Sequence, residues 1–418
     1  PMANPLSKRV NIDVGLSRPR TERTYPPRLC VYGIVPLDAP VISELAPATV
    51  IRRSTYLPNQ PFVEQVRLSS IVQKQLLPSI AMKYPSRLRD ALISIIEAGA
   101  PEADFVLARM PNTKPWDFDH PSVVEMFIPY LNATQGAVCV FPDAGGPWPR
   151  DSFKQTDLHE RMARLRSTMQ LYSRYLADNF QVGLMDIPVP SEDEILPYLH
   201  SLRGNDVSLC AWSGDFIGLQ KHGWRSACST VGGFLAARTD MLTQSIIGHN
   251  IALGPGRNVV RDRSVKLGGA QRPPVLPNLE DACILLDVNE RKSVAQVRSE
   301  MTFRRPMYEW ALPSLRTVKA IHQALTRAAE MFVFRPVQKV EAIALQTAIE
   351  MVLTPFYNLG IVVGPDGEGR PEVVGDAIPD YEEPMLTADL SAQVRPWCQS
   401  ISLRIMVKSG SQPVIEEV

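Results

Sequence analysis

The sequence predicts an α/β fold, a core built on a mostly parallel sheet with extended β-arms at the two ends of the chain. Three observations predict it. Short, continuously apolar runs alternate with amphipathic helical stretches through the middle of the chain, as in a parallel sheet covered on both faces. Apolar residues recur with period two near each terminus, the spacing of a strand with one buried face. Prolines number 37 in 418 residues and are scattered, against a usual share of about 5%. They read as stiff, extended connections between elements.

Arg87 to Ala98 sets Leu88, Ala91, Leu92, Ile95 and Ile96 on one helical face. Ala103 to Met110 follows as a strand carrying Phe105, Val106 and Leu107. Ser122 to Leu131 is helical, and Ala137 to Phe141 is a short buried strand. A long helix runs from about Leu158 to Asn179, with Met162, Leu165, Met169, Leu171 and Tyr175 at helical spacing. The series continues with a strand from Gln181 to Ile187, a helix from Glu192 to Leu202, a strand from Val207 to Trp212 and a helix from Ser229 to Leu242. These elements give an α/β core over roughly residues 85 to 245.

Residues 254 to 300 hold Gly254, Gly256, Gly268, Gly269, Pro273 and Pro274 among the basic side chains Arg257, Arg261, Arg263 and Lys266, and read as a long exposed excursion. Two helices follow, Leu312 to Met331 and Val337 to Phe356. A Gly-rich turn, Gly364 to Gly369, then leads into strand-like sequence.

At the N-terminal end Val10, Ile12, Val14 and Leu16 alternate with Asn11, Asp13 and Gly15. At the C-terminal end Ile401, Leu403, Ile405 and Val407 alternate with Ser402, Arg404, Met406 and Lys408. A lone strand cannot satisfy its own backbone. Each of these must join a sheet, either in its own chain or in a neighbouring copy by strand addition.

The composition narrows the function. Hydrophobic residues make up 45% and charged residues 21%, and 44 basic side chains balance 44 acidic ones. Nucleic-acid binding calls for a basic excess or stripe, and none is present. There is no uninterrupted apolar run of about 18 residues and no signal-peptide pattern in residues 1 to 20. The expectation is a protein that binds neither nucleic acid nor membrane and is made in a cytoplasm.

No phosphate-cradling G-x-x-x-x-G-K-[ST], no G-x-G-x-x-G after a strand and no G-x-S-x-G elbow occurs. The six histidines are dispersed and the six cysteines include no C-x-x-C pair, so neither metal nor cofactor is expected. The strongest carboxylate candidate is Asp186, at the end of a strand, where open α/β sheets place ligands. With no partner motif beside it, the simpler reading is a residue that satisfies turn backbone or caps a helix. Cys139 and Cys210 stand in apolar runs and read as buried thiols.

Several segments, in order, resemble the phage tail sheath family and related contractile injection systems. Leu88 to Leu92 followed by Gly99 to Arg109 is similar to that family's helix-then-strand unit. The long helix ending in Tyr175, with the strand into Asp186-Ile187-Pro188, resembles its next segment. Val231-Gly232-Gly233 with Ala236-Ala237-Arg238-Thr239-Asp240 resembles its "VAG..ARTD" segment, the most specific of the matches. Arg316 to Pro336 resembles the helix leading into "FVFEPN", and Leu390 to Met406 its closing strand. Arg335-Pro336-Val337 and Pro396-Trp397-Cys398 depart from the family pattern, and residues 254 to 300 lack its motifs.

The resemblance spans roughly residues 85 to 250 and 310 to 407. It implies a discontinuous core: an N-terminal arm at 1–28, a first core part at 29–250, an irregular region at 251–310, a second core part at 311–395 and a C-terminal arm strand at 396–418. It implies a structural subunit, not an enzyme, that forms a helical homopolymer around an inner tail tube protein, beside baseplate and tail terminator proteins. The virion tail sheath, assembled in the host cytoplasm, is the implied location. Val10, Ile12, Val14 and Leu16, with Ile401, Leu403, Ile405 and Val407, would form an inter-subunit mesh, and proline-flanked linkers would hinge during contraction. Cys30 and Cys398 lie beside the arms and are candidates for inter-subunit disulfides in an oxidising medium. The alternatives are another polymerising virion protein, such as a tube or capsid component, and an α/β enzyme acting near Asp186.

Overall fold

A computed structural model describes residues 29–37, 49–53, 60–69, 87–111, 118–133, 137–145, 155–186, 207–212, 216–218, 226–237, 245–252, 259–261, 284–289, 294–303, 311–378, 384–394, 399–408 and 411–417. The first half of the chain carries β1 (Leu29–Pro36), β2 (Thr49–Arg53), β3 (Phe62–Ser69), β4 (Glu102–Met110), β5 (Val138–Phe141), β6 (Val182–Asp186) and β7 (Val207–Trp212). Next come β8 (Phe216–Gly218), β9 (Asn250–Ala252), β10 (Val259–Arg261), β11 (Ile284–Asn289) and β12 (Val294–Val297). Among the described residues the helices α1 (Arg87–Ala98), α2 (Pro121–Ala133), α3 (Gln155–Asp178) and α4 (Ala227–Ala237) fall between these strands.

Ten of these strands form one sheet in the order β2-β3-β4-β1-β5-β6-β7-β11-β12-β9. The middle six, β4 to β11 in that order, run parallel. The flanking strands pair antiparallel. Alternation along each strand splits the side chains between two faces. Leu29, Val31, Phe105, Leu107, Val140 and Leu184 pack with α1 and α4. Tyr32, Val106, Ala108, Phe141 and Met185 pack with α2 and α3. Both faces are covered, which is why these strands are continuously apolar in sequence.

Local chemistry sets the helix bounds. Apolar residues at 88, 91, 92 and 95 give α1 its buried face, and Gly99, at φ 91°, turns the chain out of the helix. Its N–H and that of Ala100 return to the carbonyls of Ile96 and Ile95, closing the last turn. Pro121 occupies the first position of α2, where a missing N–H costs nothing. In α3 the buried positions Leu165, Met169, Tyr172 and Leu176 follow the helical period, while Arg164, Arg166 and Arg174 face solvent. Phe118, Phe141 and Tyr172 interlock beneath it, with ring centroids 5.4 to 5.7 Å apart.

The C-terminal part forms a second layer. It comprises α5 (Leu312–Glu330), α6 (Lys339–Asn358), β13 (Val362–Val363), β14 (Glu372–Ile378), β15 (Met385–Val394), β16 (Gln399–Lys408) and β17 (Val414–Glu417). Its five strands make a sheet in which β13 and β14 share one edge of β15, followed by β16 and β17. One face of this sheet packs on α5 and α6 and joins the apolar core of the first sheet.

Where the described residues cover them, the core strands and helices agree with the sequence reading to within a few residues; the helix expected from Glu192 to Leu202 and the expected helix end at Leu242 lie outside the described residues. The region 251–310 is different. It contributes β11 and β12 to the large sheet, β11 parallel to β7, so it is not wholly an excursion. β2 and β3 are also additions. The glycine- and proline-rich surroundings hid the first pair, and the pairings that seat the strands in the large sheet, β11 with β7 and β3 with β4, join sequence-distant segments that local periodicity does not report.

Candidate assembly surface

The C-terminal period-2 run is β16, and the structure gives it partners within its own chain. Its ladder with β15 runs from Met385 opposite Lys408 to Val394 opposite Gln399, and places Ile401 opposite Ala392. β17 pairs with Leu403 to Met406 on the other side. Leu403, Ile405 and Val407 are buried in the core. This corrects the expectation that these residues, with Ile401, pair with a neighbouring subunit. Ten in-register residues and a buried apolar face commit the strand to its own sheet. The opposite face is polar, with Arg404 Nε 2.8 Å from Asp389 Oδ1 across the β15–β16 pair.

What the second layer leaves open is its two sides. Among the described residues β14 pairs only with β15, and β17 only with β16. The outward face of α6 carries Val340, Ile343 and Met351, all exposed, one above another along the helix. Phe334, 89% exposed, and Met331 extend this apolar surface onto the α5–α6 connection. The outer side of α3 is charged instead. The stripe was readable from the sequence as a helix apolar on two sides, and the sequence reading missed it. Val10, Ile12, Val14 and Leu16 lie outside the described residues.

The Val231-Gly232-Gly233 segment sits in the middle of α4, clamped between sheet and helix. A Cβ on Gly232 would stand 2.6 Å from Val140 Cγ1, and one on Gly233 3.0 Å from the Cα of Ile95 in α1. The paired glycines let α4 lie directly against both, so this motif is a packing device.

Asp186 resolves in the same place. Its carboxylate accepts the Cys228 N–H at 2.7 Å and the Ser226 hydroxyl at 2.8 Å, at the N-terminus of α4. Ser226 Oγ in turn lies 2.9 Å from Ser229 Oγ. All four side chains are buried. Burial and the adjacent carboxylate push the Cys228 thiol well above its ordinary pKa, opposite to what a nucleophile needs. The arrangement is a buried helix cap on the strand-to-helix crossover.

Cys30 is also placed differently from its expected role. It lies 0% exposed on β1, in the middle of the large sheet, so no neighbouring subunit reaches its sulfur without opening the sheet. Cys398 is outside the described residues. Two charged groups are buried as well. Glu64 and Arg109 form an ion pair on β3 and β4, and among the described residues Arg316 of α5 has no hydrogen-bond partner at either Nη. Desolvation lowers the Arg316 guanidinium to about 10, so it remains cationic at neutral pH. Among the described residues no group of three or more His, Cys, Asp or Glu could hold a metal, and no helix is long and apolar enough to cross a membrane.

No protein-family profile and no curated protein matches the sequence. Solved structures do match. A chain of the anti-feeding prophage (AFP) helical sheath in its contracted state aligns over 85% of this chain and 83% of its own, with TM-score 0.52 and 13% identity. The chain has the fold of a contractile-sheath protein. A chain of the AFP baseplate aligns over 84% of this chain and 85% of its own, with TM-score 0.53 and 13% identity. The sheath fold is thus shared across nearly the whole length, both layers included, while the sequences have diverged.

Proposed function

We propose that the chain is a structural subunit of a contractile sheath: it polymerises helically around an inner tail tube and shortens to drive that tube through a host envelope. The observation that carries the reading is the fold shared with the AFP helical sheath over 85% of the chain. The surfaces left open by the second layer support it. Among the described residues strands β14 and β17 each pair with one strand only, and an alternating segment such as Val10 to Leu16 of a neighbour is suited to such an edge. With β16 held inside its own sheet, the arm role rests on residues 10 to 16. The subunit would work without nucleotide, its extended form a trapped state released through a baseplate and held at the far end by a terminator. Its place would be the tail sheath of a virion or injection particle, assembled in the host cytoplasm.

High-speed sedimentation of the concentrated chain tests this. The full chain should pellet as polymer above a critical concentration. A variant lacking residues 1 to 18 should stay in the supernatant with an unchanged circular dichroism spectrum. A full chain that never pellets, alone or with its inner tube protein, overturns the sheath reading. A truncated chain that pellets normally overturns the arm.

A further inference from the structure

The register that buries Cys30 also gives it a neighbour. Cys30 on β1 is the direct partner of Cys139 on β5, and both are 0% exposed on the same face of the sheet. Adjacent strands lie about 4.8 Å apart, inside the Cα separation of about 4.4–6.8 Å that a disulfide spans. Each cysteine is the second residue of its strand, so the pair sits at the N-terminal end of two central strands, where the ladder can fray first. The Tyr32 phenol lies beside both sulfurs: burial, then Cys139 and Cys30, hold its proton on. On the other side, Arg67 is within electrostatic reach of Cys30. Its guanidinium is 34% exposed and grips Asp104 at 2.7 Å, marking the direction of solvent.

We propose that Cys30 and Cys139 are an oxidation site, closing an intrachain disulfide across β1 and β5 when the protein meets hydrogen peroxide. The Cys30 thiolate attacks one peroxide oxygen and the O–O bond breaks. Cys30 becomes a sulfenic acid, and the departing hydroxide leaves as water with the thiol's proton. The Cys139 sulfur then displaces the sulfenic oxygen, which leaves as a second water with the Cys139 proton. Two thiols lose two electrons and two protons, and one peroxide becomes two waters. Because the sulfurs are buried, the reaction waits on opening at the start of β1 and is slow.

The test is peptide mapping of the full chain after peroxide, with free thiols alkylated under denaturing conditions. The expected product is a Cys30–Cys139 cross-linked peptide pair, with about 2 Da lost per chain. It should come from a chain that runs as a monomer without reductant, and dithiothreitol should reverse it. In Cys139→Ser, Cys30 should instead accumulate as a sulfenic acid trapped by dimedone. If that variant does not fold, the wild-type map alone decides. The proposal is overturned if both cysteines stay fully alkylatable at peroxide doses that oxidise exposed methionines such as Met331 and Met351. It is also overturned if Cys30 is recovered joined to another chain. The readout is on single chains, so it stands apart from whether the protein polymerises.

Discussion

Asp186 ends β6 and receives the backbone N–H of Cys228, 42 residues later, at 2.7 Å. One carboxylate therefore ties a central strand to the first turn of α4, where negative charge also favours the helix dipole. Asp186→Ala should cost about 2–4 kcal/mol, the sum of a lost cap and a stranded buried hydroxyl. Asp186→Asn keeps an oxygen for Cys228 and should lose clearly less. Urea denaturation of the two variants measures this, and equal losses would contradict the capping role.

The Glu64–Arg109 pair, at 2.9 Å and 0% exposed on both sides, holds β3 to β4 through charge inside the sheet. Glu64→Gln should cost about 3–5 kcal/mol, because it removes the carboxylate charge 2.9 Å from a fully buried guanidinium. Pairing Glu64→Gln with Arg109→Met should restore much of the loss. A double variant no better than the single one would show that the pair matters for more than its charge balance.

Arg316 makes the opposite prediction. Its cation is buried and, among the described residues, neither Nη has a hydrogen-bond partner. Arg316→Met should raise stability at neutral pH by about 1–3 kcal/mol, visible as a higher denaturation midpoint. A fall of similar size would mean that the cation is satisfied in the protein as it works.

Glu300 gives a pH signature. Its carboxylate accepts the Ile246 N–H at 2.6 Å, yet burial raises it above the ordinary carboxylate pKa. Between the ordinary and the raised value the folded state binds more protons than the unfolded one, so stability falls as pH rises through that window. Glu300→Gln should flatten this slope. Denaturation midpoints at a series of acidic to neutral pH values compare the two, and identical slopes would remove Glu300 from the account.

The sequence carried the core well because each element there is locally consistent. Leu88, Ala91, Leu92 and Ile95 define a helix by spacing alone, and Val138 to Phe141 can only be a buried strand. Val231-Gly232-Gly233 stood out before its reason was visible, which is the contact of α4 with Ile95 and Val140. Partners were not legible. The alternation at Leu403, Ile405 and Val407 reports a strand with one buried face, and reads the same whether its neighbour is β15 or another subunit. Cys30 was misplaced for the same reason: the register that puts it opposite Cys139 belongs to the sheet and has no trace in either local sequence.

The most direct measurement is electron microscopy of the concentrated chain, alone and with its inner tube protein. The expected result is hollow helical tubes whose wall is built of this subunit and whose lumen admits an inner tube. Some of them should be shorter and wider, as a contracted form requires. Discrete particles at every concentration, with and without the tube protein, would contradict the sheath account.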